Sequence, residues 1–107
     1  MSDKVELIAA AQINAFGGVS PGIEFKANFG FKTATRASDG DYSLTLKHKH
    51  DPNKLVVNVT RNNVLNGDIQ ASLPNGETVQ INNFEDTDTG SGPLDTPFFI
   101  TVYLVRD

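Results

Sequence analysis

Cysteine is absent, helix signals are almost absent, and apolar residues make up only 38% of the 107 positions. Without thiols there is no disulfide, no thiolate metal site and no thiol nucleophile, which suits a protein assembled in a reducing cytosol and exposed outside it afterwards. No run approaches the ~18 apolar residues of a membrane span, so membrane insertion is not expected. "VELIAAAQI" is not the core of a signal peptide, because Glu6 and Gln12 interrupt it, and synthesis in the cytoplasm is expected. A net charge of −4 excludes the basic surface that duplex binding needs, so no nucleic-acid partner is expected. Sparse apolar content also bounds the core. A chain of this length buries ~65% of its unfolded surface at best, and self-association would ease the deficit.

What the sequence does have is period-two alternation from end to end, which predicts strands. In "KVELIAAAQINAFG" the apolar residues Val5, Leu7, Ala9, Ala11, Ile13 and Ala15 share one parity, although the alanines leave a short helix open before Ala11. "GIEFKANFGFK" places Ile23, Phe25, Ala27, Phe29 and Phe31 on one face of a single strand. "DYSLTLKHKH" does the same for Tyr42, Leu44, Leu46, His48 and His50. Turn signals fall at "SDGD" (38–41), "DPNK" (51–54), Asn66-Gly67 and Pro74-Asn75-Gly76, the last reading as a hairpin. "LVVNVTR", "DIQASL" and "ETVQINNF" supply further strands, and "EDTDTGSGPLDTP" (85–97) reads as a polar loop. The last strand, "FFITVYLVR", is apolar on both faces: Phe98, Ile100, Val102 and Leu104 on one, Phe99, Tyr103 and Val105 on the other. Such a strand is covered on both sides, and in a small antiparallel domain the second cover is often a neighbouring subunit. The expectation is one all-β domain over residues 1–107, a compact antiparallel, jelly-roll-like β-sandwich of seven to eight strands, with Phe99, Tyr103 and Val105 against a neighbouring subunit.

Candidate sites are few. His48 and His50, two apart on a strand, could both reach one transition metal, but two ligands do not close a site. Three copies around a threefold axis would supply six nitrogens, enough for an octahedral iron-like or nickel-like ion; no cofactor is otherwise required. The alternative is that the strand simply runs into solvent before Asp51-Pro52. Asp86 and Asp88 alternate like the start of a calcium loop, yet the twelfth position is Pro97 where a bidentate Glu belongs, which favours a solvated loop. Asn62, Asn63 and Asn66 cluster around one turn. Their amides suit sugar hydroxyls as well as turns, so they join Asp86 and Asp88 as candidate receptor-binding loops. No nucleophile elbow, Gly-rich phosphate loop or His-Glu-x-x-His motif occurs, and the chain is not read as an enzyme.

The order of "AAQINAFGG", "ANFGFKTATRASDGDYSLTL" and the closing "FFITVYLV" resembles the C-terminal head domains of trimeric bacteriophage tail fibres and related bacterial fibre-tip adhesins. The matching positions are Ala11, Ile13, Asn14 and Gly17, then Asn28 and Phe29, then Gly40, Asp41, Tyr42 and Leu44, then Phe99 to Val105; the tryptophan common near the start of such domains is missing. The resemblance implies a homotrimer on a virion or extracellular fibre that presents variable loops to a cell-surface glycan or protein receptor. It also implies an axial metal held by a His-x-His pair from each chain. A structural virion protein, decorating a capsid or forming a head fibre with the same fold, is the alternative.

Overall fold

In the computed structural model, which describes residues 4–62, 67–87, 90–93 and 95–106, alternation becomes nine strands and a single 3-10 turn at Pro52–Lys54. The strands are β1 (Lys4–Phe16), β2 (Gly22–Phe29), β3 (Phe31–Ser38), β4 (Asp41–Leu46), β5 (Leu55–Arg61), β6 (Gly67–Ser72), β7 (Thr78–Thr87), β8 (Gly90–Pro93) and β9 (Phe98–Arg106). One sheet runs β2-β1-β9-β5, the other β3-β4-β7-β6 with β8 also on β7, and every pairing is antiparallel. No helix among the described residues is long and apolar enough to cross a membrane.

The sheets close on one core. Ala9, Ala11, Ile13 and Ala15 of β1 and Phe98, Ile100, Val102 and Leu104 of β9 face Phe31, Tyr42, Leu44, Leu46, Val79 and Ile81 of the second sheet. Tyr42 and Phe98 stack across the interface with ring centroids 5.5 Å apart. Burying each of the larger side chains stabilises the fold by about 1.5–3 kcal/mol, and each alanine by less, which is why alternation, more than turn chemistry, selects the sandwich.

Three segments depart from the sequence reading. The stretch 22–32 is not one strand, because the chain changes sheets at Gly30. Gly30 has φ +86°, and a Cβ there would sit 2.1 Å from the Ile8 carbonyl oxygen, so only glycine makes this corner. Asn28 clamps it: its side-chain amide donates to the Phe31 carbonyl at 3.0 Å and its Oδ1 accepts the Phe31 N–H at 3.2 Å. The strand "DYSLTLKHKH" stops at Leu46, after which backbone bonds tie the chain to neighbouring turns. Lys47 N–H donates to the Gly30 carbonyl at 3.0 Å and His50 N–H to the Gly76 carbonyl at 2.8 Å. The 85–97 segment carries the end of β7 and all of β8, which pair with each other. Residues 90–93 become strand by pairing back on the end of β7, since Gly-Ser-Gly-Pro has little strand preference of its own. The alanine-rich start is strand throughout.

The expected turns at 38–41 and 74–76 close the β3–β4 and β6–β7 hairpins. Asn75 Oδ1 accepts the N–H groups of Glu77 and Thr78, both at 2.9 Å. Asp51 caps the 3-10 turn by accepting Asn53 N–H at 3.0 Å. Asn66 lies outside the described residues; the strands on either side of it, β5 and β6, belong to different sheets.

Candidate functional site

The two outer surfaces of the sandwich differ in kind. On the β3-β4-β7-β6 sheet the outward positions are Thr33, Thr35, Ser43, Thr45, Gln80, Asn82, Asp68 and Gln70, a solvated surface on which Phe84, beside Asp68, is an apolar exception. Ser43 donates to Gln80 there at 2.9 Å, and Gln80 in turn donates to Asp41. On the β2-β1-β9-β5 sheet the outward rows read Val5 and Val105; Leu7, Tyr103 and Val56; Ala10, Thr101 and Asn58; Gln12, Phe99 and Thr60. Phe29 lies beside Ala10 and Ala27 beside Gln12. No charged side chain interrupts these rows.

Two β-bulges create this surface. Ile8 is an extra residue between the pairs Leu7–Tyr103 and Ala9–Val102, so Val5 and Leu7 point outward although they share parity with the buried alanines. Lys26 is an extra residue between the pairs Gln12–Ala27 and Ile13–Phe25. It sends Ala27 and Phe29 outward while Phe25 packs inward, its ring stacked on Phe31 at 6.3 Å. Both one-faced stripes expected from the sequence are therefore split. Val5 is 65% exposed, Phe29 57% and Phe99 41%, a concentration of apolar surface that a lone soluble chain rarely carries. Tyr103 and Val105 are half-buried on the same face, so the three residues expected at an interface stand together there.

His48 and His50 follow the end of β4 rather than extending it, so strand parity does not align them. His48 is exposed and His50 half-buried. Both line one groove beside the Gly30 corner with Lys47 and Arg106, whose charges oppose a bound cation. Among the described residues no group of three His, Cys, Asp or Glu side chains is placed to hold a metal. One chain does not close such a centre, and an axial ion would depend on ligands from other chains.

Two of the candidate receptor residues, Asn62 and Asp86, sit at the opposite end of the sandwich. Asn62 is exposed just past β5, its N–H donating to the Pro97 carbonyl at 2.9 Å. Asp86 is not in a loop: it belongs to β7 and pairs with Ser91 of β8, because that segment folds back as a short hairpin. Asn63, Asn66 and Asp88 lie outside the described residues.

The same end holds a polar cluster that the sequence reading missed. Asp95 accepts from Arg36 Nε at 3.1 Å and Nη2 at 2.8 Å, from Tyr42 Oη at 2.6 Å and from Gly40 N–H at 3.1 Å. Arg36 also donates to Asp39. Beside them Asn83 donates to Thr96 at 2.7 Å and accepts from Arg61 Nε at 2.8 Å. Burial pushes the Asp95 carboxyl up, but bonds from Arg36, Tyr42 and Gly40 outweigh it and hold the group at about 2. Burial, followed by the bond to Asp95, drives the Tyr42 phenol well above its ordinary range. With its acceptor sites filled, Asp95 is a fastening for the segment before β9, not a free base.

No family model, no curated protein and no solved structure matches the chain.

Proposed function

We propose that this chain is the receptor-binding or adhesive tip of a fibre, a jelly-roll-like homotrimer that presents its loops to a cell-surface glycan or protein. The observation that carries the reading is the outer face of β1, β9 and β5 with Ala27 and Phe29 beside it, where no charged side chain falls in the rows from Val5 to Gln12, set against the polar outer face of the other sheet. Four strands about 4.8 Å apart, each contributing about nine residues of 3.3 Å, give a face of roughly 600 Å² in projection, comparable to the ~800 Å² per partner of a standard interface. Depletion of charge at its centre, with aromatic residues enriched, is the composition of an interface core. Assembly on that face leaves the loop end of each chain, around Asn62, turned away from the contact. Three copies then convert weak single contacts into avidity.

Light scattering tests assembly: three times the 11.6 kDa chain mass is expected, and a clean single-chain mass at high concentration overturns the reading. Binding to host cells or to a glycan array is expected of the assembled protein. Binding only to virus-like particles, with none to cells or glycans, favours a decorating protein instead.

A further inference from the structure

We propose that the groove between the Gly30 corner and residues 46–50 binds an acidic monosaccharide unit, a pyranose carrying a carboxylate. The groove encloses about 390 Å³, within the size range of small-ligand sites. Its walls are built rather than incidental. The 46–50 segment is tied by its backbone to Gly30 on one side and Gly76 on the other, and Asn28 locks the corner itself. A Cβ at Gly76 would lie 1.6 Å from the His50 carbonyl oxygen, so that wall also depends on a glycine.

The lining selects the ligand. The whole chain carries a net charge of −4, yet the lining has the cations Lys47 and Arg106 and the imidazoles of His48 and His50 against one carboxylate, Glu6. Glu6 is already engaged with Arg106 at 3.1 Å, so donors exceed free acceptors and an anionic ligand completes the balance. A bare anion would leave the rest unused: Leu7, Ile8 and Leu46 line the groove, and the ring of Phe29 stands half out of the surface. A sugar ring offers an apolar flank to that side while its carboxylate meets the cations. The groove is lined within one chain and lies at the end opposite Asn62 and Asp95, apart from the loops proposed to meet a receptor; it shares Leu7 and Phe29 with the outer face of β2-β1-β9-β5, where a sugar and a neighbouring copy would compete.

Isothermal titration of the whole chain against methyl glucuronide, the methyl glycoside of N-acetylneuraminic acid, methyl glucoside and inorganic phosphate tests it. At least one acidic sugar is expected to bind about tenfold more tightly than methyl glucoside or phosphate, the difference that one charge-assisted hydrogen bond makes. Lys47→Gln is expected to weaken binding several-fold with the thermal melt and scattering mass unchanged, since its side chain is exposed. Glu6→Gln is expected to tighten binding by freeing Arg106, an effect that a merely structural role would not produce. Lys26→Gln, outside the groove, is expected to change nothing. Equal affinity for methyl glucuronide and methyl glucoside overturns the proposal, as does phosphate binding as tightly as the acidic sugars. So does nickel or iron binding that is lost in His48→Ala while neither acidic sugar binds.

Discussion

Arg36 and Asp95, 59 residues apart in the chain, meet in a two-point fork of 3.1 and 2.8 Å that fastens β3 to the segment entering β9. Both side chains are largely buried, at 14% and 6% exposure. Removing one partner of such a pair strands the other, which is far more costly than never having had the pair. Asp95→Asn is expected to lower stability by about 3 kcal/mol, read as a fall in the urea midpoint with the slope unchanged.

The same carboxyl makes the fold acid-sensitive in a defined window. Its folded value, about 2, lies below the ordinary 3.8 of an aspartate, so its contribution is complete above pH 4 and is lost as pH falls toward 2. The span corresponds to about 2 kcal/mol. Wild-type protein is expected to lose that much stability between pH 4 and 2, measured by denaturant titration at each pH. Asp95→Asn, already weaker, should show a correspondingly flatter profile through the same window.

Alternation carried most of the fold. The buried parity of β4 and β9 and the hairpins at 38–41 and 74–76 were legible because each depends on residues within a few positions of one another. Phe99, Tyr103 and Val105 were legible as an outer face for the same reason. The bulges at Ile8 and Lys26 were not, since a bulge is a register decision between two strands and nothing local to either residue announces it. Gly30 was a missed signal: an isolated glycine inside an alternating stretch marks a bend or a close backbone approach, and here it marks both. Asp95 could not be read locally, because its partners Arg36 and Tyr42 arrive from β3 and β4. His48 and His50 looked aligned only while the strand was extended past Leu46, and the bonds to Gly30 and Gly76 that end it are tertiary.

Two glycines with similar backbone angles should respond differently to alanine. Gly30 has φ +86° and would place a Cβ against Ile8, whereas Gly18 has φ +88° and nothing within 4 Å. Gly18→Ala is expected to cost about 1 kcal/mol, the left-handed penalty alone. Gly30→Ala adds a backbone collision at the sheet-changing corner and should cost about 3 kcal/mol or more, enough to separate the two in thermal melts.

Thr101 lies at the middle of the apolar face, between Ala10 of β1 and Asn58 of β5. Thr45 occupies an outward position on the polar face of the other sheet, opposite Thr33 and Thr78. A lysine at either site can reach water from an isolated chain, so both Thr101→Lys and Thr45→Lys should leave chain stability within about 1 kcal/mol. They part company in the assembled state. A lysine at Thr101 would be buried against neighbouring copies with no acid in the surrounding rows to pair with, a cost of several kcal/mol shared among few contacts. Thr101→Lys is therefore expected to sediment as single chains at concentrations where wild type and Thr45→Lys sediment as trimers. If Thr101→Lys assembles like wild type, the outer face of β2-β1-β9-β5 is not what joins the copies.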